Sequence, residues 1–189
     1  MKLILEGLKS HLVKRDLDFN PQLWGEWPLR TMYENSPHRD VSDIWLRFRD
    51  PFELAALTPE DFCMTKYKPM WYPCMGRMQN TKKIIERIFT MVDGEELGGC
   101  LITKIPPGKQ VFPHRDSGYN CEHYLNKYLL LIESHPNQYF EINGEKVVGE
   151  AGQLFIFDNR TTHSVVNNSD VDRISLIMSI RQKGQEVRA

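Results

Sequence analysis

From Gly94 onwards the chain is a series of short apolar or alternating runs cut by turn-forming residues, and this punctuation limits what it can build. The runs are "GGCLITKI", "VFPHRD", "KYLLLIE", "YFEI", "KVVG", "LFIFD", "HSVV" and "RISLIMSI"; between them stand "PPGKQ", "SHPNQ", "EAGQ" and "NNSD". They are strand-length and rich in β-branched and aromatic residues. Asn143-Gly144, between "YFEI" and "EKVV", predicts a hairpin, because a type I′ turn needs positive φ at both central residues. Strands of this length and spacing close into a sandwich or a double-sheet jelly roll. The fold expected is therefore mainly β, with N-terminal α-helices flanking the strands.

Those helices must come from the first half. Leu3, Ile4, Leu5, Leu8 and Leu12 fit a short amphipathic helix or an edge strand equally well. Residues 17–40 mix prolines and a glycine with tryptophans, so they read as irregular chain docked by its aromatics. "DIWLRF" alternates as a strand does. "TPEDF" offers a helix start at Thr58, with Pro59 at the first helical position and Glu60 and Asp61 in the first turn. "NTKKIIERIFTMV" is a clear helix, with Ile84, Ile85, Ile88, Phe89 and Val92 on one stripe. We expect one domain over residues 1–189: a helical and loop support region at 1–94, a jelly-roll core at 95–181, and a frayed tail.

Composition narrows the function classes. With 24 Lys plus Arg against 25 Asp plus Glu, the formal charge of -1 gives no global field for nucleic acid or an anionic membrane. The four cysteines are far apart with no C-x-x-C pair, which argues against a zinc knuckle or a disulfide framework. Glu6 and Lys9 break the first apolar run as no secretory signal would, and no stretch reaches membrane-span length. The expectation is a soluble, cytoplasmic protein with reduced thiols.

One tetrapeptide, Pro-His-Arg-Asp, occurs twice, at 37–40 and at 113–116. If residues 111–116 are extended, His114 and Asp116 point to one face. A non-haem Fe(II) site needs two imidazoles and a carboxylate on one face of an octahedron, and His163 at the head of "HSVV" is the best third ligand. "NNSD" reads as a turn joining "HSVV" and "RISLIMSI" as neighbouring antiparallel strands, which sets Arg173 level with His163. An arginine there suits a carboxylate, and Ser175 shares its face. A chelating oxo acid with a second carboxylate spans such a site, which describes 2-oxoglutarate. Asp158 and Asn159 are placed to orient His163.

"HRD" at 114–116, "INGEKVVGEAGQLFIF" and "FDNRTTHSVVNNSDVDRISL" at 157–176 together resemble the aspartyl/asparaginyl β-hydroxylase family of Fe(II)/2-oxoglutarate dioxygenases. The resemblance covers residues 95–181. It implies a double-stranded β-helix of the cupin-like jelly-roll type, Fe(II) on His114, Asp116 and His163, 2-oxoglutarate on Arg173, and O2 as co-substrate. Retention of Asp116 is more similar to the bacterial members that hydroxylate free amino acids than to peptide-modifying animal members with Gly there. Where relatives carry an Arg and a His near the oxo acid, this chain has Lys127, which can pair with a carboxylate of the oxo acid as a point charge, and Leu129, which cannot. The implied activity is hydroxylation of an aliphatic C–H of a small amino acid or an Asp/Asn-type residue in a peptide.

The first copy, with His38 and Asp40, has no second His and Arg at a matching interval and reads as a loop. A sharper alternative folds that loop over the metal, with His38, Arg47 and Trp45 contacting substrate. Two other readings stand beside the oxygenase: a jelly-roll protein that binds a metal or small acid without turnover, and a nucleobase oxygenase, which the charge balance disfavours.

Overall fold

The computed structural model describes residues 1–54, 57–58, 61 and 64–187. Two antiparallel sheets face each other. The major sheet has seven strands in the order β1-β9-β6-β11-β4-β2-β3, and the minor sheet four in the order β5-β10-β7-β8. The strands are β1 (Lys2–Leu5), β2 (Ser42–Phe48), β3 (Met70–Trp71), β4 (Gly94–Ile105), β5 (Gln110–His114), β6 (Asn126–Glu133), β7 (Gln138–Ile142), β8 (Glu145–Val147), β9 (Leu154–Phe157), β10 (His163–Asn167) and β11 (Arg173–Gln182). The helices are α1 (Ser10–Asp18), α2 (Pro51–Leu54), α3 (Gln79–Met91) and α4 (Tyr119–Tyr124). No described helix is long and apolar enough to cross a membrane.

The continuous apolar run in β6 has a physical cause: both faces of the major sheet are covered. Leu129 and Leu131 turn inward to an inner core with Val111, Phe140, Phe155 and Val165. Leu130 and Ile132 turn outward to a second core with Val13 and Leu17 of α1 and Ile84, Ile85 and Ile88 of α3. The two helices are tied where Asp16 accepts from the Thr81 backbone N–H at 2.7 Å, from its hydroxyl at 2.9 Å, and from Asn80 at 2.8 Å. Buried Asp16 on one helix thus satisfies orphan donors at the start of the other.

The hairpin at Asn143-Gly144 has φ of 52° and 78°, as the turn type requires, and joins β7 to β8. The opening leucines divide their work: Lys2–Leu5 is an edge strand on β9, and a helix follows from Ser10. Residues 1–94 are more than a support, since β1, β2 and β3 complete the major sheet. Thr58 Oγ1 accepts from the Asp61 backbone N–H at 3.1 Å, as a helix cap does, while the rest of that expected helix start, Pro59 and Glu60, lies outside the described residues. The tail is ordered further than expected: Gln185 accepts from the Gln182 N–H at 2.9 Å and from Asn126 at 2.7 Å.

One pairing expected from sequence is wrong. β10 and β11 are not neighbours: β10 lies between β5 and β7 in the minor sheet, and β11 between β6 and β4 in the major sheet. The "NNSD" turn carries the chain across the sandwich. Buried Asn167 fixes the crossing by donating to the carbonyls of Ile105 and Val171, both at 2.8 Å. Arg173 therefore faces His163 across the interior, and not from an adjacent strand.

Candidate metal centre

β5 and β10 set two imidazoles side by side. His163 pairs with His114 in the ladder, and the ring centroids are 4.3 Å apart. Each Nδ1 lies 2.8 Å from the carbonyl oxygen two residues earlier, that of Phe112 for His114 and of Thr161 for His163. A carbonyl accepts only, so Nδ1 carries the proton and Nε2 presents its lone pair inward. Phe140 stacks on His163 at 5.6 Å. Burial holds the His163 pKa below its ordinary value, which keeps the ring neutral and able to ligate.

Asp116 lies just past the end of β5. Its backbone N–H donates to the Asn159 carbonyl and its Oδ2 accepts from Asn159 Nδ2, both at 2.8 Å. Lys127 Nζ is 3.6 Å from the same Oδ2. Oδ1 faces His114 Nε2 at 3.2 Å. Burial works to raise the Asp116 pKa, but the carboxyl is held well below the usual range, with the Lys127 cation the largest of the opposing effects.

The donor atoms of His114, Asp116 and His163 lie within 4.8 Å of one another. Among the described residues, His114 Nε2 is buried with no hydrogen-bond partner. Two imidazole lone pairs and one carboxylate oxygen converging without protons to share repel one another unless a cation lies between them, and this donor set fits a divalent first-row metal. The three residues line a cavity that runs between the sheets. Its walls include Leu129, Phe140, Phe157, Val165 and Ile177.

Arg173 and Ser175 line the same cavity from β11. Arg173 is 4% exposed and donates to Ser175 Oγ at 2.8 Å. Among the described residues it has no carboxylate partner. Burial brings its pKa down to about 10, so it remains a cation at neutral pH. A buried arginine without a counter-ion is a receptor for an anion.

The other expected residues divide. Lys127 lines the cavity beside Asp116, and His38 meets His114 edge-on at 4.7 Å. Trp45 and Arg47 are not brought to this cavity. Trp45 packs on Phe48 at 4.6 Å, and Arg47 donates to the Leu97 carbonyl at 3.2 Å with its guanidinium 5.1 Å from the Trp71 ring centre. The roles expected of "FDN" also change: Asp158 pairs with Arg160 and Asn159 serves Asp116, while a backbone carbonyl orients His163. Sequence reasoning missed Arg30, which lines the cavity. Its only signal was a basic residue in an otherwise proline- and tryptophan-rich stretch.

A structure of similar fold is a prolyl hydroxylase from Trichoplax adhaerens in complex with a hypoxia inducible factor oxygen degradation domain peptide, 12% identical, covering 96% of this chain and 83% of that one with a TM-score of 0.61. A Pseudomonas putida prolyl-4-hydroxylase is 14% identical over 96% of this chain and 92% of its own, with a TM-score of 0.53. A collagen prolyl hydroxylase of Paramecium Bursaria Chlorella virus-1, in a 2OG complex, is 11% identical over 96% and 94%, also with a TM-score of 0.53. At such identities these likenesses establish the jelly-roll fold alone. No curated protein sequence matches the chain. The sequence model of aspartyl/asparaginyl beta-hydroxylases matches residues 60–183, a span that takes in His114, Asp116, His163 and Arg173, and the chain belongs to that family.

Proposed function

We propose that the chain is an oxygenase that uses Fe(II), 2-oxoglutarate and O2 to hydroxylate an aliphatic C–H of a small amino acid, or of an Asp- or Asn-type residue in a peptide. The convergence of His114, Asp116 and His163 beside Arg173, which has no carboxylate partner among the described residues, carries this reading, and family membership supports it. The three residues would hold Fe(II), and Arg173 with Ser175 would take the far carboxylate of 2-oxoglutarate. Together the bound metal and oxo acid supply the activation of O2 that an unactivated C–H bond requires.

The chain's own work is to bind, orient and exclude. Arg173 offers a charge-assisted hydrogen bond in a setting with little water to compete for it. Leu129, Phe140, Phe157, Val165 and Ile177 make the wall between the sheets apolar and leave the polar groups to fix orientation. Lys127 and Asn159 hold Asp116 by its Oδ2, leaving Oδ1 toward the metal position. We assign the whole chain to one oxygenase domain, because strands from residues 1–94 complete the sheet that carries Arg173. We place it in the cytoplasm, consistent with the free, buried thiols of Cys74, Cys100 and Cys121.

The test is anaerobic calorimetry of 2-oxoglutarate binding with Mn(II) in place of Fe(II). Binding that needs metal, weakens in Asp116→Ala and Arg173→Ala, and persists in Asp40→Ala supports the assignment. Absence of binding to the wild type, or equal binding by all four proteins, overturns it.

A further inference from the structure

The first Pro-His-Arg-Asp copy lies against the second. The Phe112 backbone N–H donates to the Pro37 carbonyl at 2.8 Å. The Arg39 guanidinium lies 3.5 Å from the centre of the Phe112 ring, and His38 abuts His114. Val41, at the end of the segment, is buried in the inner core with Ile105 and Val111. These contacts hold residues 36–41 in place, with His38 lining the cavity.

Arg30 enters the cavity from the same stretch of chain, on the β2–β4 side, whereas Lys127 enters from β6. Its Nε and Nη2 donate to the two oxygens of Asp43 at 2.7 and 2.9 Å, and Nη2 also donates to Thr103 Oγ1 at 2.6 Å. Thr103 in turn donates to Asp43 Oδ1 at 2.8 Å. The Asp43 side chain is 1% exposed and that of Arg30 is 20% exposed, so a ligand in the cavity meets the cation and not its counter-ion. A guanidinium has about five N–H donors. Asp43 and Thr103 use three of them, and among the described residues those on Nη1 have no partner. An arginine held this firmly loses little freedom when it takes a ligand, and its donors suit a carboxylate.

We propose that Arg30 is the substrate anchor of this site, receiving on Nη1 a carboxylate of the molecule to be oxidised, with His38 walling the space between that carboxylate and the metal position. The proposal rests on the oxygenase reading above and adds the substrate's chemistry to it. Arg173 and Ser175 are taken by the oxo acid, so a second anion needs a second receptor, and Arg30 is the one the fold supplies. The carboxylate has two possible sources: the α-carboxylate of a free amino acid, or the side chain of an acidic residue within a peptide.

The experiment is calorimetry on protein saturated with Mn(II) and 2-oxoglutarate without O2. It is titrated with the free L-amino acids, their α-amides, and end-capped tripeptides centred on Asp or on Asn, and is repeated on Arg30→Met and Arg30→Lys. The expected result is that the wild type prefers an acid to its uncharged amide at least tenfold. Arg30→Met abolishes the preference, Arg30→Lys retains part of it, and 2-oxoglutarate affinity stays within twofold in both variants. Preference for a free acid over its α-amide assigns the α-carboxylate, and preference for the Asp over the Asn peptide assigns the side chain. Equal binding of acid and amide by the wild type, no binding by any of these compounds, or a preference that survives Arg30→Met overturns the proposal. So does a variant that folds but loses 2-oxoglutarate, which would make Arg30 part of the oxo acid's site. If the wild type itself fails to bind 2-oxoglutarate, the oxygenase reading falls first.

Discussion

Replacing Asn159 with alanine should weaken metal binding without disturbing the fold. Asn159 is 2% exposed, and its Nδ2 donates to Asp116 Oδ2 at 2.8 Å. The backbone bond from the Asp116 N–H to the Asn159 carbonyl does not involve the side chain, so the loop should keep its course in the variant. What is lost is one hydrogen bond to a charged acceptor, worth about 1.5–3 kcal/mol. Lys127 remains 3.6 Å from Oδ2, too long for a hydrogen bond of that strength, so it only partly compensates. The released carboxylate is free to turn away from the histidines. At about 1.4 kcal/mol per tenfold, the Mn(II) dissociation constant should rise by roughly 10- to 100-fold, in line with the usual effect of removing a ligand's supporting partner. Electron paramagnetic resonance of free Mn(II) during a titration gives this constant directly and does not require turnover. Cys121→Ala, which removes the other neighbour of Asn159 Nδ2 at 3.1 Å, serves as a control that should bind metal as the wild type does. A folded Asn159→Ala protein with wild-type Mn(II) affinity would show that Asp116 is held by its loop alone.

Two further expectations concern stability. Arg173→Met should raise the melting temperature of the ligand-free protein, because a buried cation with no counter-ion among the described residues is removed, by roughly 2–4 °C for each kcal/mol recovered. The gain should vanish or reverse with 2-oxoglutarate and Mn(II) present, and a lower ligand-free melting temperature would contradict the account. The sign with pH agrees: burial lowers the folded pKa of Arg173 to about 10, so its destabilising effect is present below that pH and fades above it. Gly144→Ala should cost about 1–2 kcal/mol in urea unfolding through backbone conformation alone, since φ is +78° and an added Cβ meets nothing within 4 Å. A neutral result would mean that the hairpin tolerates another turn type.

The legible parts of the chain were those whose signal is local. Strand lengths, the Asn143-Gly144 turn and the α3 stripe each follow from a few adjacent residues. The clustering of the three candidate ligands was legible because His114 and Asp116 are close in sequence and His163 heads a strand. Partnership between sheets was not. Nothing in "NNSD" distinguishes a hairpin from a crossing, and the difference depends on Asn167 reaching Ile105, a residue far away in the chain. Arg30 was hidden for the same reason, because its place depends on Asp43 of β2 and Thr103 of β4. Trp45 and Arg47 read as pocket residues by type, yet their neighbours Phe48 and Trp71 give them packing partners elsewhere.

The crossing at Asn167 also makes the site depend on both sheets at once. The ladder that aligns His114 with His163 joins distant segments, and Arg173 takes its place only when β11 has inserted between β4 and β6. Pairings of such long sequence separation close late and cooperatively, because the entropy of the intervening loops is lost before the contacts repay it. A partly folded chain therefore lacks either the second imidazole or the buried guanidinium. The three candidate ligands and the buried guanidinium share one cavity only when both sheets are formed.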